Sequence, residues 1–264
     1  MAGLGVATTN RVGVRATPRV DEKRRGQNVT DDVGKKLVVA LDVKTYEAAE
    51  KLVGELSPLA GWFKVGSVMF TREGPRLCRL VKDSGAGLFL DLKFHDIPNT
   101  VVGAVTSAAA LGADMLTVHI SGGQAMLEAA VRAREEAGRN DMIIVGVTVL
   151  THLTFEDFHS LFVSERSTNE TVLAFTKLAQ RCGLNGVVAS ARELPLIRRH
   201  VGPDFTVVTP GIRMADAASD DQVRIVTPRR AIEDGASYIV VGRPIIAAPD
   251  PAGACQRILE NMAS

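Results

Sequence analysis

A chain of 264 residues, 46% hydrophobic and 23% charged, has the make-up of an ordinary globular protein and room for two modest domains or one α/β barrel. Its 31 Lys and Arg offset 30 Asp and Glu, which excludes a global field for nucleic acid or a membrane surface, so affinity for an anion must be built locally. Cys78, Cys182 and Cys255 are too scattered for a disulfide framework or zinc site, and no apolar run reaches the ~20 residues of a membrane span, so a protein of the reducing cytoplasm is expected.

Residues 1–34 differ in composition from the rest of the chain. Arg11, Arg15 and Arg19 precede the first acidic residue, Asp21–Arg25 is a run of charge, and no apolar stretch suggests a secretory signal. An Arg-rich, acid-poor opening is shared by transit peptides, but a disordered N-terminal extension is the reading adopted. From Lys36 onward apolar runs alternate with amphipathic segments. Strands are expected at Leu37–Leu41, Trp62–Val65, Leu88–Leu92, Met115–His119, Met142–Val149, Gly186–Ala189, Thr206–Val208 and Tyr238–Val241. Most are continuously apolar, as parallel strands buried on both faces must be. Helices are expected at Tyr46–Leu56, Arg72–Lys82, Val101–Leu111, Ala125–Ala137, Val172–Arg181, Glu193–His200, Pro228–Asp234 and Pro251–Met262. Gly85, Gly112, Gly183 and Gly235 fall just after helices, where positive φ is needed. This alternation over residues 35–264 predicts a single-domain (β/α)₈ TIM barrel, with an open doubly wound sheet as the competing arrangement.

The segment Leu88–Thr100 carries the most chemistry. Asp91 and Lys93 interrupt an apolar run two residues apart, so on a regular strand both side chains leave the same face. Buried charges are costly unless paired or used, and the C-terminal end of a barrel strand is where an active site is built. A buried ion pair that only fixes strand register is the alternative. Asp96 lies beyond it in the loop, with Pro98 ending the strand. Val39-Ala-Leu-Asp42 closes the first strand on a carboxylate, and Trp62-Phe-Lys64 closes the second on an ammonium. Strands one to three are neighbours in a closed barrel, so Asp42, Lys64, Asp91 and Lys93 should converge above the core.

The polar segment Thr151–Thr171 is long for a βα loop and should lie over the barrel top, with a short helix around Phe155–Phe162. Thr209-Pro-Gly-Ile-Arg213, Asp221-Gln222 and Val240-Val-Gly242-Arg243-Pro244 come after strands seven and eight, where barrels often hold a phosphate. Gly242 would let the backbone approach an anion, Arg243 offers a charged fork, and Gln222 a side-chain amide. Taken alone, Gly242-Arg243 could be a turn with a surface arginine. His119 ends strand four and could border the site, whereas His95 reads as orienting or structural.

Asp91-x-Lys93-x-x-Asp96, within the run Asp91-Leu-Lys-Phe-His-Asp-Ile-Pro-Asn-Thr100, resembles the signature of bacterial-type orotidylate decarboxylases. Ala40-Leu-Asp42, Lys64-Val-Gly66, Val118-His-Ile-Ser-Gly-Gly123, Val147-Thr-Val-Leu-Thr151, Thr209-Pro-Gly-Ile-Arg213 and Gly242-Arg-Pro244 are similar to that family in the same order. The resemblance implies conversion of orotidine 5′-monophosphate to UMP and carbon dioxide with no cofactor and no metal. It implies Lys93 as the acid that protonates the ring carbon, Asp91 beside the substrate carboxylate, and Lys64 and Asp96 completing a Lys–Asp–Lys–Asp array. Asp42 and Lys64 would hold ribose hydroxyls and Thr151 would lie near the pyrimidine. Arg213, Gln222, Gly242 and Arg243 would meet the phosphate. Asp96 and Thr100 would reach the neighbouring subunit's substrate, which implies a homodimer.

Two other functions compete with this reading. Sugar-phosphate decarboxylases and hexulose-phosphate synthases share Asp-x-Lys-x-x-Asp but use magnesium and an enediolate. The Ile97-Pro98-Asn99-Thr100 continuation and the Thr209–Arg213 run favour the nucleotide enzyme. A silent nucleotide-binding barrel would be expected to have lost a catalytic position, and Lys93 with its partners is intact.

Overall fold

The computed structural model describes residues 32–162, 166–214 and 226–264. Parallel strands β1 (Leu37–Ala40), β2 (Trp62–Gly66), β3 (Gly87–Phe94), β4 (Met115–His119), β5 (Ile143–Val147), β6 (Gly186–Val188), β7 (Thr206–Pro210) and β8 (Tyr238–Val241) pair in chain order. Pairing of β8 with β1 closes the barrel, which rules out the open sheet. Around it run α1 (Tyr46–Leu56), α2 (Ser67–Glu73), α3 (Pro75–Asp83), α4 (Pro98–Ala110), α5 (Gly123–Glu136) and α6 (Phe155–Phe162). The outer layer continues with α7 (Thr168–Arg181), α8 (Leu194–Arg198), α9 (Pro228–Glu233), α10 (Arg243–Ile246) and α11 (Pro251–Ala263). The N-terminal segment lies outside the described residues except at its end, where Asp32–Gly34 form one helical turn and the Gly34 carbonyl accepts the Gly61 N–H.

The two faces of each strand explain the continuous apolar runs. Val38, Phe89, Met115, Val145, Val208 and Val240 fill the lumen, while their neighbours Val39, Leu88, Leu116, Ile144, Val207 and Ile239 pack outward against the helices. The floor of the barrel is tight. Trp62 stacks edge-on with Tyr238, ring centroids 5.3 Å apart, and a Cβ on Gly87 would lie 2.5 Å from the Trp62 ring. Gly85, Gly112, Gly183 and Gly235 have φ of 81°, 79°, 80° and 100°, the left-handed geometry expected after a helix.

Three local expectations are corrected. The single helix expected over Arg72–Lys82 is two, because Gly74 turns the chain at φ 54° and Pro75 starts a new helix. The third strand does not stop at Leu92 but runs to Phe94. Its pairing with β4 slips on the way: β3 takes four steps, from Leu90 to Phe94, where β4 takes two, from Leu116 to Val118. Pro98 does not end the strand, which stops at Phe94. It opens α4, where its missing N–H costs nothing.

Candidate active site

The C-terminal ends of the first three strands bring four charges into a row. Asp42, just past β1, lies 3.5 Å from Lys64 on β2; Lys64 lies 3.5 Å from Asp91 on β3; Asp91 lies 2.8 Å from Lys93. Adjacent parallel strands place these residues side by side, and Gly66 leaves the space that Lys64 occupies, since a Cβ there would come within 2.9 Å of its Nζ. The Asp91 side chain is only 13% exposed. Burial alone would raise its carboxyl, but Lys64, Lys93 and the hydrogen bonds from Lys93 and Thr117 outweigh that and hold it below the ordinary carboxylate value. Asp91 is therefore an anion clamped between two cations.

Lys93 stands where the register of β3 breaks. Its φ of 52° is the single positive value among the described residues other than glycine. Such a backbone costs on the order of 1–3 kcal/mol and persists where the surroundings over-determine it. Its N–H donates to the Thr117 hydroxyl at 2.8 Å, and that hydroxyl donates to Asp91 at 3.1 Å. Beyond Lys93, His95 packs against His119 at the end of β4, with centroids 5.2 Å apart. Burial, then His95 and Lys93, push His119 below the usual imidazole value against a smaller opposing pull from Asp91.

The charged row forms one wall of a cavity of about 360 Å³ at the barrel mouth, within the range of small-molecule sites. Thr151, Arg213, Gly242 and Arg243 complete it from the loops after β5, β7 and β8. A Cβ on Gly242 would meet only the Ala40 side chain at 3.6 Å, so the cavity beside it is open to a ligand. Among the described residues neither Arg213 nor Arg243 has an ion-pair partner. A second cavity shares Thr151, Arg213 and Arg243 and extends toward α6 and α7. Asp96 and Thr100 lie apart from both. They are exposed, and the Asp96 carboxylate accepts the Ile97 N–H at 2.7 Å. Gln222 lies outside the described residues. The arrangement offers a fixed field of alternating charge, a lysine ammonium at the cavity edge, and two guanidinium groups with no ion-pair partner among the described residues.

A family model described as "Orotidine 5'-phosphate decarboxylase / HUMPS family" matches residues 35–258. The orotidine 5'-phosphate decarboxylase of Moorella thermoacetica is 52% identical over 227 residues, covering 84% of this chain and 90% of that protein. The enzyme of the same name from Syntrophotalea carbinolica is 48% identical over 234 residues, covering 87% and 96%. The chain belongs to this family. Among solved structures, orotidine 5'-phosphate decarboxylase from Lactobacillus acidophilus superposes with a TM-score of 0.76 at 34% identity, covering 86% of this chain and 99% of that one. The barrel is thus the fold of the family. The family pattern in the sequence marked the charged row and the mouth loops but not Thr117, whose one outward sign was a polar residue at an inward position beside the charged strand.

Proposed function

We propose that the chain decarboxylates orotidine 5′-monophosphate to UMP, the last step of de novo pyrimidine biosynthesis, without a cofactor. The observation that carries this reading is the Asp42–Lys64–Asp91–Lys93 row at the barrel mouth of a chain that belongs to the family. Breaking the bond between the ring carbon and its carboxylate leaves an electron pair on an sp² carbon with no neighbouring carbonyl to spread it. Preorganised positive charge must then stabilise the carbanion. Lys93 supplies that charge and then the proton that completes the new C–H bond. Asp91 faces the departing carboxylate, and Asp42 with Lys64 holds the ribose. Thr151 borders the pyrimidine, while Arg213, Gln222, Gly242 and Arg243 hold the phosphate, whose remote binding orients the reacting centre. Residues 35–264 carry the activity, in a protein of the cytoplasm.

The working unit is a homodimer in which Asp96 and Thr100 serve the partner's site. Asp96 is absent from its own cavity, and exposed apolar side chains flank this rim: Ile97 beside it is 67% exposed, and Val68, after the adjacent strand, is 64% exposed. No described helix is long and apolar enough to cross a membrane. The direct test is loss of orotidylate absorbance with purified protein in the presence of EDTA. Turnover there is expected. Turnover of a sugar phosphate that EDTA stops, with orotidylate untouched, would move the chain to the magnesium-using branch.

A further inference from the structure

Thr117 has no part in the roles assigned above, yet it sits at the centre of the charged row. It lies on β4 between Met115, which fills the lumen, and His119, and it shares their inward register. Its side chain is 0% exposed. The hydroxyl accepts the Lys93 backbone N–H at 2.8 Å and gives its own proton to Asp91 Oδ1 at 3.1 Å. That same Oδ1 accepts from Lys93 Nζ at 2.8 Å. The peptide N–H and the ammonium of one lysine are thereby tied to one carboxylate, the first through a hydroxyl and the second directly. This closed circuit falls where the β3–β4 register slips and where Lys93 takes a φ of 52°. At such a slip the ladder no longer offers a carbonyl in the regular place, and a buried N–H needs another acceptor.

We propose that Thr117 is a positioning residue for the reaction: its hydroxyl holds the Lys93 backbone in the left-handed region and fixes the Asp91 carboxylate, and together these aim the ammonium into the cavity. The inference rests on the decarboxylase reading. Valine matches threonine in shape but can neither accept nor donate, whereas serine keeps the hydroxyl. In Thr117→Val, kcat for orotidylate should fall about 10- to 100-fold, the range expected for losing hydrogen bonds to a charged group. The dissociation constant for UMP, which lacks the carboxylate that Asp91 would face, should stay within about twofold. Thr117→Ser should keep kcat within about threefold of the parent. A crystal structure of Thr117→Val should show Lys93 returned to negative φ, a readout that stands even if the parent protein proves inactive on orotidylate. A positive φ retained in that variant, or a kcat within about twofold of the parent, overturns the proposal. So does loss of UMP binding in step with kcat. If the valine variant does not fold, Thr117→Ala against Thr117→Ser decides: equal kcat overturns the proposal, as does failure of alanine to fold while serine folds.

Discussion

The two halves of the barrel mouth are built on opposite plans. On the side of β1–β4 the charges that line the cavity are met by the chain itself: Asp42, Lys64, Asp91 and Lys93 pair in sequence, and Thr117 ties the last two together. On the side of β5–β8 the cavity is lined by Thr151, Arg213, Gly242 and Arg243, and the two arginines have no ion-pair partner among the described residues. The difference matches the roles proposed for each half. Charge that stabilises a short-lived carbanion cannot be rearranged during the reaction, so it must be fixed beforehand at the expense of strain such as that at Lys93. Charge that grips a phosphate can be completed by the phosphate.

The largest effect should come from breaking the fixed half. Lys93→Ala removes field and proton donor at once, so turnover should fall by at least about 10⁴-fold, measured by orotidylate absorbance. The fold should survive, because Lys64 still faces Asp91. Breaking the open half should cost less. Arg243→Ala should lower kcat/KM by about 100-fold, the scale of a charged hydrogen-bond pair, with free guanidinium restoring part of the loss. Orotidine, which lacks the phosphate, should be handled alike by parent and variant.

A third test asks whether the fixed half is complete within one chain. Asp96→Ala and Lys93→Ala, each inactive, are mixed under conditions that exchange subunits. If Asp96 serves the partner, half of the dimers are mixed and each holds one intact site, so about a quarter of full activity should return. No recovery would mean that Asp96 acts within its own barrel. The smallest effect concerns His119, whose folded value lies below its ordinary one because of burial, His95 and Lys93, with Asp91 opposing. Above about pH 6.5 both folded and unfolded chains hold it neutral; below that, the unfolded chain binds a proton that the folded one resists, so this contribution lowers stability as pH falls. Urea unfolding from about pH 7 to about pH 5 should therefore show a steeper loss in the parent than in His119→Phe.

Much of this was readable in the sequence, for physical reasons that differ by element. Charges inside apolar strands are conspicuous, so the convergence of Asp42, Lys64, Asp91 and Lys93 could be read from barrel adjacency alone. The expected bounds of β4 and β8 match the observed ones. The break at Gly74-Pro75 was missed because helical periodicity continues across it, although a Gly-Pro pair is itself a stop signal. The slip in β3 was not readable. Register is set between strands, and the alternation of Asp91 and Lys93 looks regular whether or not β4 keeps step. Thr117 was hidden for the same reason, since threonine is an ordinary strand residue until its neighbour's backbone turns toward it.

The partial exposure of Lys93 bears on how often the protein can act. In the proposed reaction the Lys93 amine gives its proton to the product carbon and must be recharged before the next substrate is of use. Its side chain is 36% exposed at the mouth, whereas Asp91 beneath it is 13% exposed. Water that refills the cavity as the product departs can thus reach Nζ directly, with no relay of buried groups in between. In the proposed reaction product departure and resetting of the acid become one event, with the contacts through Thr117 holding the nitrogen in place meanwhile.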